Sequence, residues 1–373
     1  MENSAAAKAE KDWINIAFLT LTPVVGVAGT ALYTLKHGFH WWMPVLFVVM
    51  YLCVGLSICA GYHRLFSHKS YECSPFVQAF YAIFGAMAAQ NSILWWCAAH
   101  RIHHKYVDRD WDPYNITRGF WWAHIFWIFY RNPDNQVLDG VPDLVKNPVV
   151  AWQHKWNKWI LLAGGFGVPT LIGALFGDPI AGLLWGGFLR VVVIHHTTFF
   201  VNSLAHKLGD RRYAADVSAR DNWLVALVTL GEGYHSFHHK FPADFRNGIY
   251  WYQWDPAKWV IRGLRSIGLA KELKSTPAPL VEQARLSAAY VQIESKLGAA
   301  TGSVADEIRD CINRAREAAQ HAYELWKQHA DERRRGLSSA WKNTRREARG
   351  RLKEARREWR SAVRLLSALP KAA

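Results

Sequence analysis

The chain has 373 residues, half of them apolar and 20 of them Trp, with 45 Lys and Arg against 30 Asp and Glu for a net charge of +15. That length fits one large unit plus an appendage. The five cysteines (Cys53, Cys59, Cys73, Cys97, Cys311) form no CxxC pair and two lie inside an apolar run, which excludes a disulfide framework and fits a reducing compartment.

In chain order, "MENSAAAKAEKD" is polar and the apolar run behind it is longer than a signal-peptide core, so no cleavable leader is expected. Four apolar runs follow, at 13–35, 41–61, 159–176 and 180–201, each close to the ~20 residues that cross a bilayer as a helix. The fourth contains Arg190, His195 and His196, which must face the protein interior or sit near an end. Two further runs, 76–89 and 120–129, are short or broken and read as interfacial or re-entrant helices; Trp41-Trp42 and Trp121-Trp122 suit interfacial anchoring. The loops "KHGFH" and "GDP" between paired runs are nearly free of Lys and Arg, whereas the N-terminal segment, residues 62–158 and everything after 206 are basic. The positive-inside rule puts those three regions, both termini included, in the cytoplasm, across the inner membrane if the chain is bacterial. The expected fold is therefore all-α and integral to the membrane: four transmembrane helices under a cytoplasmic helical cap.

The cap is where histidine gathers. "GEGYHSFHHKFP" places His235, His238 and His239 within five positions. On a helix the offsets 0, +3 and +4 fall within an arc of roughly 100°, so the three rings can converge on one point. "HRIHH" repeats the spacing with His100, His103 and His104; "HRLFSH" adds His63 and His68, and "NSLAH" ends in His206. Isolated residues such as His37, His124 and His321 read as ordinary hydrogen-bonded side chains. The nine together exceed the coordination of one first-row metal, and imply two metals sharing them as four and five. Two membrane hairpins bring all nine to one face. Neutral imidazole suits zinc, copper, nickel or iron. Structural zinc takes four ligands and usually cysteine, and only Cys97 lies near a motif. Metal charge left uncompensated by neutral ligands favours oxygen-derived anions, which points to iron and O₂. The soluble di-iron bundles need two Glu-x-x-His repeats, and only Glu232-Gly-Tyr-His235 matches, so this is not that class.

The stretches "HRLFSH", "HRIHHKYVDRDWDPYN", "NSLAHKLGDRRY" and "GEGYHSFHHKFP" resemble the membrane fatty acyl-CoA desaturases of the stearoyl-CoA (delta-9) type, over residues 12–275 or so. The resemblance implies nine histidines on two iron ions, with Asn202 joining through a water. It implies an acyl tunnel lined near its kink by Gln90, Asn91, Trp96 and Thr198, and Arg131 near the CoA phosphates, where Arg101, Lys155 and Lys158 could add charge. The reaction it implies is O₂-dependent insertion of a cis double bond, commonly at carbon 9, into a saturated acyl chain. No haem or Rossmann fingerprint and no cysteine set for an iron–sulfur cluster is present, so electrons are expected from a separate carrier, a cytochrome b5, ferredoxin or similar, with its reductase. Nine methylenes beyond the double bond span ~11 Å, about eight helical residues. Counting back from His63 reaches Gly55, with Tyr51 a turn deeper, so Tyr51 is expected to stop the methyl end and Gly55 to leave room for it. Ala98-Ala99 stands where animal members carry Arg-Asp, which leaves acyl-lipid and acyl-carrier-protein substrates open beside acyl-CoA. Hydroxylation of an alkyl chain on the same scaffold is an alternative reaction. A metal or haem transporter is a remote one, because its ligands belong at bilayer depth and these cluster at span ends.

The desaturase domain is expected to occupy 1–280. Residues 281–373 hold 20 Lys and Arg against 12 Asp and Glu, with apolar side chains at helical spacing. This basic helical extension, outside the resemblance, reads as a solvated helix or coiled coil, a surface for anionic lipid, or a partner-docking helix. Nucleic acid is not an expected partner of a membrane enzyme.

Overall fold

The computed structural model describes residues 10–131, 140–297, 303–334 and 340–368. The N-terminal stretch behind the no-leader expectation lies, through residue 9, outside them. Two compact units emerge, one formed by the described residues up to 209 with 218–274, the other by 210–217 with those from 275 onward.

In the first unit the chain runs through β1 (Glu10–Lys11), α1 (Trp13–His37), α2 (Trp42–Ser67), β2 (Glu72–Cys73), α3 (Pro75–Ala86), α4 (Ile93–Tyr106) and α5 (Phe120–His124). It continues through β3 (Tyr130–Arg131), α6 (Pro148–Leu175), α7 (Pro179–Lys207), α8 (Trp223–Val228), α9 (His235–Lys240), α10 (Pro256–Ser266) and β4 (Ala270–Lys271). The long helices start where side chains can cap them. Asp12 Oδ1 accepts from Asn15 N at 3.1 Å, and Asp178 Oδ1 from Ala181 N at 2.9 Å. Ser74 and Asn147 do the same ahead of Pro75 and Pro148, whose missing N–H costs nothing at a first turn. The α6–α7 hairpin closes at Gly177, whose φ of +81° suits glycine; a Cβ on Gly182 would sit 2.7 Å from the Gly173 Cα, so the two helices meet backbone to backbone.

Among the described residues four helices, α1, α2, α6 and α7, are long and apolar enough to cross a membrane, and this is an integral membrane protein. At 25 to 29 residues they overshoot a ~30 Å hydrocarbon layer, and they overshoot the apolar runs too. Helix α2 runs past residue 61 to Ser67 and α7 past 201 to Lys207, so His63, Asn202 and His206 ride on helical ends beyond the greasy portion. Buried shares of 50% and 56% for α2 and α7, against 22% for α1 and α6, make α2 and α7 the inner pair; Leu35 on α1 and Leu171 and Leu175 on α6 face outward. Across 76–89 the helix is α3, packed on α2 by reciprocal small-for-large contacts. A Cβ at Gly61 would lie 2.6 Å from Tyr81 Cβ, and one at Gly85 2.2 Å from Tyr62 Cε1. Across 120–129 the chain breaks into α5 and a 3₁₀ turn, Phe126–Phe129.

Two short antiparallel pairs tie distant segments, Glu10 opposite Arg131 and Glu72 opposite Lys271. In the second unit, α11 (Ala278–Leu297), α12 (Ser303–Arg334) and α13 (Ala340–Ala368) pack on small residues. Ala348, Ala355 and Ala362 recur every seventh position and are buried; Ala355 clusters with Leu286, Ala315 and Ala319, and Ala362 with Ile308 and Ile312.

Candidate metal centre

Helices α4 and α9 each carry three of the histidines, and His63 and His68 are brought together at the end of α2. Five residues of ordinary α-helix turn ~500°, which would leave His63 and His68 on different faces. The last eleven residues of α2, Ser57–Ser67, wind instead in wide π turns, and the His68 N–H reaches the His63 carbonyl at 3.1 Å, a five-residue bond. The rings then stand 4.9 Å apart. Arg101 from α4 locks this end through Phe66 O (2.8 Å) and Ser67 O (3.0 Å) while gripping Asp143 with both terminal nitrogens (2.7 and 3.1 Å). Its charge is therefore committed within the fold.

The nine rings meet as two groups: His63, His68, His100, His104 and His238 in one, His103, His206, His235 and His239 in the other. Each HxxHH triad is thus divided, where the spacing suggested one point of convergence. Offset +4 lies about 40° from offset 0 on one side and offset +3 about 60° on the other, so positions 0 and +4 stay together while +3 crosses to the neighbouring group.

The donor chemistry fits metal. His63 Nδ1 lies 2.7 Å from Glu232, His103 Nδ1 2.8 Å from Asp112, and His206 Nδ1 2.6 Å from Ser218 Oγ. An imidazole that gives its Nδ1 proton to a carboxylate presents a bare lone pair at Nε2. Those Nε2 atoms face one another at 2.9 Å (His63–His238), 2.8 Å (His68–His100), 2.9 Å (His104–His238) and 3.1 Å (His206–His235). Two nitrogens ~2.1 Å from one ion at right angles would be ~3.0 Å apart, so these spacings suit imidazoles that share an ion. Burial, reinforced by the neighbouring rings, holds His68, His100, His103, His104, His238 and His239 well below the usual imidazole range, the neutral form a metal requires. Burial also pushes the Asp112 carboxyl up to about 7. For Glu232 burial raises the pKa, but attraction and hydrogen bonds from His63 and Arg64 outweigh it and hold the carboxyl at about 2.

These supporting groups were not visible as such in the motifs. In the sequence Glu232 reads only as the single match to a Glu-x-x-His repeat; in the structure it bridges His63, Arg64 Nη2 (2.8 Å) and Asn247 Nδ2 (2.7 Å). Asp112 lies in "DWDPYN", within a quoted stretch. Tyr114 follows it, with its hydroxyl 3.3 Å from His100 Nδ1.

Below the rings opens a cavity of about 540 Å³. Tyr51, Gly55, Gln90, Asn91, Trp96, Arg131, Thr198 and Asn202 all line it, with His63 and His100. A polar elbow crosses its wall: Trp96 Nε1 donates to Gln90 Oε1 at 3.2 Å and Gln90 Nε2 to Thr198 Oγ1 at 2.8 Å, while Trp96 stacks on His100. Tyr51 donates to Val228 O at 2.8 Å. The space in front of Gly55 is already taken, since a Cβ there would lie 2.6 Å from Leu230 Cδ1. Arg131 pairs with Asp12 at 3.4 Å and is half exposed, and Asp12 and Asn15 share its stretch of the lining.

Residues 39–266 match the family model described as fatty acid desaturase. The chain belongs to the fatty acid desaturase family. Among relatives, "Acyl-CoA desaturase 1" of Saccharomyces cerevisiae is 40% identical over 76% of this chain and 56% of its own length. "Sn-2 palmitoyl-lipid 9-desaturase" of a Nostoc species is 38% identical over 71% of this chain and 91% of its own length. "Stearoyl-CoA desaturase 5" of Bos taurus is 34% identical over 72% and 82%. The chain spans about half the length of the two yeast acyl-CoA relatives it matches, at 56% and 55%. The family match ends before α11, so helices α11, α12 and α13 lie outside it.

Proposed function

We propose that this protein is an O₂-dependent oxidoreductase that inserts a cis double bond at carbon 9 of a long saturated acyl chain carried on CoA. The observation that carries the reading is the pair of histidine groups, with His63 and His100 among the residues lining a mostly apolar cavity. An unactivated methylene has no acidic proton, so side-chain acid–base chemistry cannot break it; two iron ions, held by the five- and four-histidine groups with Asn202 joining through water, would supply that hydrogen removal when bound. Overall, the chain loses two hydrogens and O₂ leaves as two waters, consuming two electrons and two protons.

The protein's own residues do the placing. Glu232, Asp112 and Ser218 keep the Nδ1 protons of His63, His103 and His206, which aims each Nε2 inward. Gln90, Thr198 and Trp96 form the elbow that bends the chain under the rings, while Asn91 lines the same stretch. Tyr51 closes the methyl end. Arg131 takes the head group at the mouth. Electrons come from a separate cytochrome b5, ferredoxin or similar carrier docking on the cytoplasmic side, where the charge pattern also puts both termini. The same reading keeps 1–280 as the desaturase domain and 281–373 as a basic helical extension.

The carrier has a second reading. The Nostoc relative is named for an acyl lipid, and Ala98-Ala99 offers no charge to a CoA moiety, so a glycerolipid acyl chain is the competing substrate. Expression in a host lacking unsaturated fatty acids, with double-bond positions mapped in its lipids, tests the reaction. Purified protein given saturated acyl-CoA or intact phospholipid separates the carriers. A product 16 Da heavier, about the mass of one added oxygen, or metal analysis returning a lone zinc, would end the desaturase reading.

A further inference from the structure

Arg190 is fully buried inside a membrane helix, and its three recorded partners are all backbone carbonyls. Its Nε donates to Gly186 O (3.1 Å), one terminal nitrogen to Gly165 O (2.7 Å) and the other to Met87 O. Burying a guanidinium at such a place is costly, so its partners are informative. Met87 begins the turn that leaves α3, where helix carbonyls run out of partners and carry partial negative charge. His195, five residues further along α7, points Nε2 at Ala88 O (2.9 Å) and Ala89 O (3.2 Å), so that nitrogen bears the proton. Thr198 then receives Gln90. Residues 87, 88, 89 and 90 are thus each held by α7. The turn needs holding, because Ala89 (φ +56°) and Asn91 (φ +75°) adopt left-handed backbone without being glycine. Ala89, Gln90 and Asn91 all line the cavity, where Gln90 joins Trp96 to Thr198 in the polar elbow.

We propose that Arg190 and His195 are positioning residues for regiochemistry: by pinning the carbonyls of 87–89 they fix the elbow, and so fix which methylene lies under the metal pair. The proposal rests on the oxidative reading of the cavity but not on whether the product is an alkene or an alcohol. Arg190 does not reach the cavity and acts only through the turn; His195 lines it. Neighbouring methylenes differ in position by little more than 1 Å, and a 1 Å misplacement costs ~10²-fold, so a pinned elbow should keep adjacent isomers near 1% and a released one let them rise ~10-fold.

The test uses the full chain with Arg190→Lys, Arg190→Gln, His195→Leu and His195→Gln, expressed in a host lacking unsaturated fatty acids. Two readouts are taken: the carbon at which lipids are oxidised, and amide hydrogen exchange across 86–91 in purified protein. Arg190→Gln and His195→Leu should accelerate exchange of that turn, leave 235–240 unchanged, and raise adjacent isomers about tenfold, with metal content held. Arg190→Lys, which keeps the positive charge and the reach, and His195→Gln, which keeps a donor of similar reach to its carbonyls, should stay near the parent. Unaltered exchange in His195→Leu overturns the clamp, and faster exchange with parent-like positions overturns its link to regiochemistry. Hydroxylated lipid would sink the desaturase reading alone, since positions are scored either way.

Discussion

The substitution Gly55→Ala tests the chain-length reading with one methyl group. The new Cβ would stand 2.6 Å from Leu230 Cδ1 and 3.3 Å from Ile194 Cδ1. Carbon atoms settle at about 3.5–4.0 Å, so the Leu230 tip must withdraw by ~1 Å, and Leu230 lines the cavity. An acyl chain gains little more than that per methylene, so the deep end loses room for about one carbon. Forfeiting one buried methylene costs ~0.8 kcal/mol, and forcing it in adds about 1–3 kcal/mol of overpacking. A bias of about 2 kcal/mol against the longer substrate moves the preference by roughly 30-fold, read as the ratio of 16- to 18-carbon monounsaturated products in a host lacking its own. The fold should survive, because alanine is favoured over glycine in a helix by ~1 kcal/mol. A folded Gly55→Ala protein with the parent's product ratio would refute the idea that this wall sets length, and a parent-like Gly55→Trp would do so with more force.

Three other outcomes are expected. Asp112→Asn removes the charge behind His103 while keeping an acceptor, and should lower iron retention against a chelator by roughly 10–100-fold; unaltered retention would mean His103 holds its tautomer without help. Glu232→Ala leaves buried Arg64 with one carboxylate, Asp255, beside the Phe245 carbonyl, and thermal or denaturant unfolding should show a loss of about 3 kcal/mol, the lower end for a broken buried pair. Stripping metal with a chelator should lower the melting temperature, and restoring iron should recover it, because nine lone pairs aimed inward repel without a cation.

Much of the site could be read from spacing alone. Both HxxHH triads and the end-of-span placement of the remaining histidines followed from period and hydropathy, and all nine rings do meet. What spacing could not convey was winding. His63 and His68 share a face only because α2 finishes in wide turns, and an α-helical wheel would have separated them. The spans were legible in their apolar portions but not in length, since the helices continue into polar sequence once partners in the cap satisfy it. Buried charge was the least legible. Arg190 could be said only to face inward; two of its three carbonyls, Gly165 on α6 and Met87 at the end of α3, lie more than twenty and a hundred residues away in sequence. Arg101, likewise, looked available for a substrate until Asp143 accounted for it.

Because each triad gives two rings to one group and one to the other, neither ion could be captured or lost alone without disturbing the helix that serves its neighbour. The pair should then fill in near all-or-none fashion. Under metal scarcity the population would be a mixture of replete and empty molecules, with few singly loaded ones.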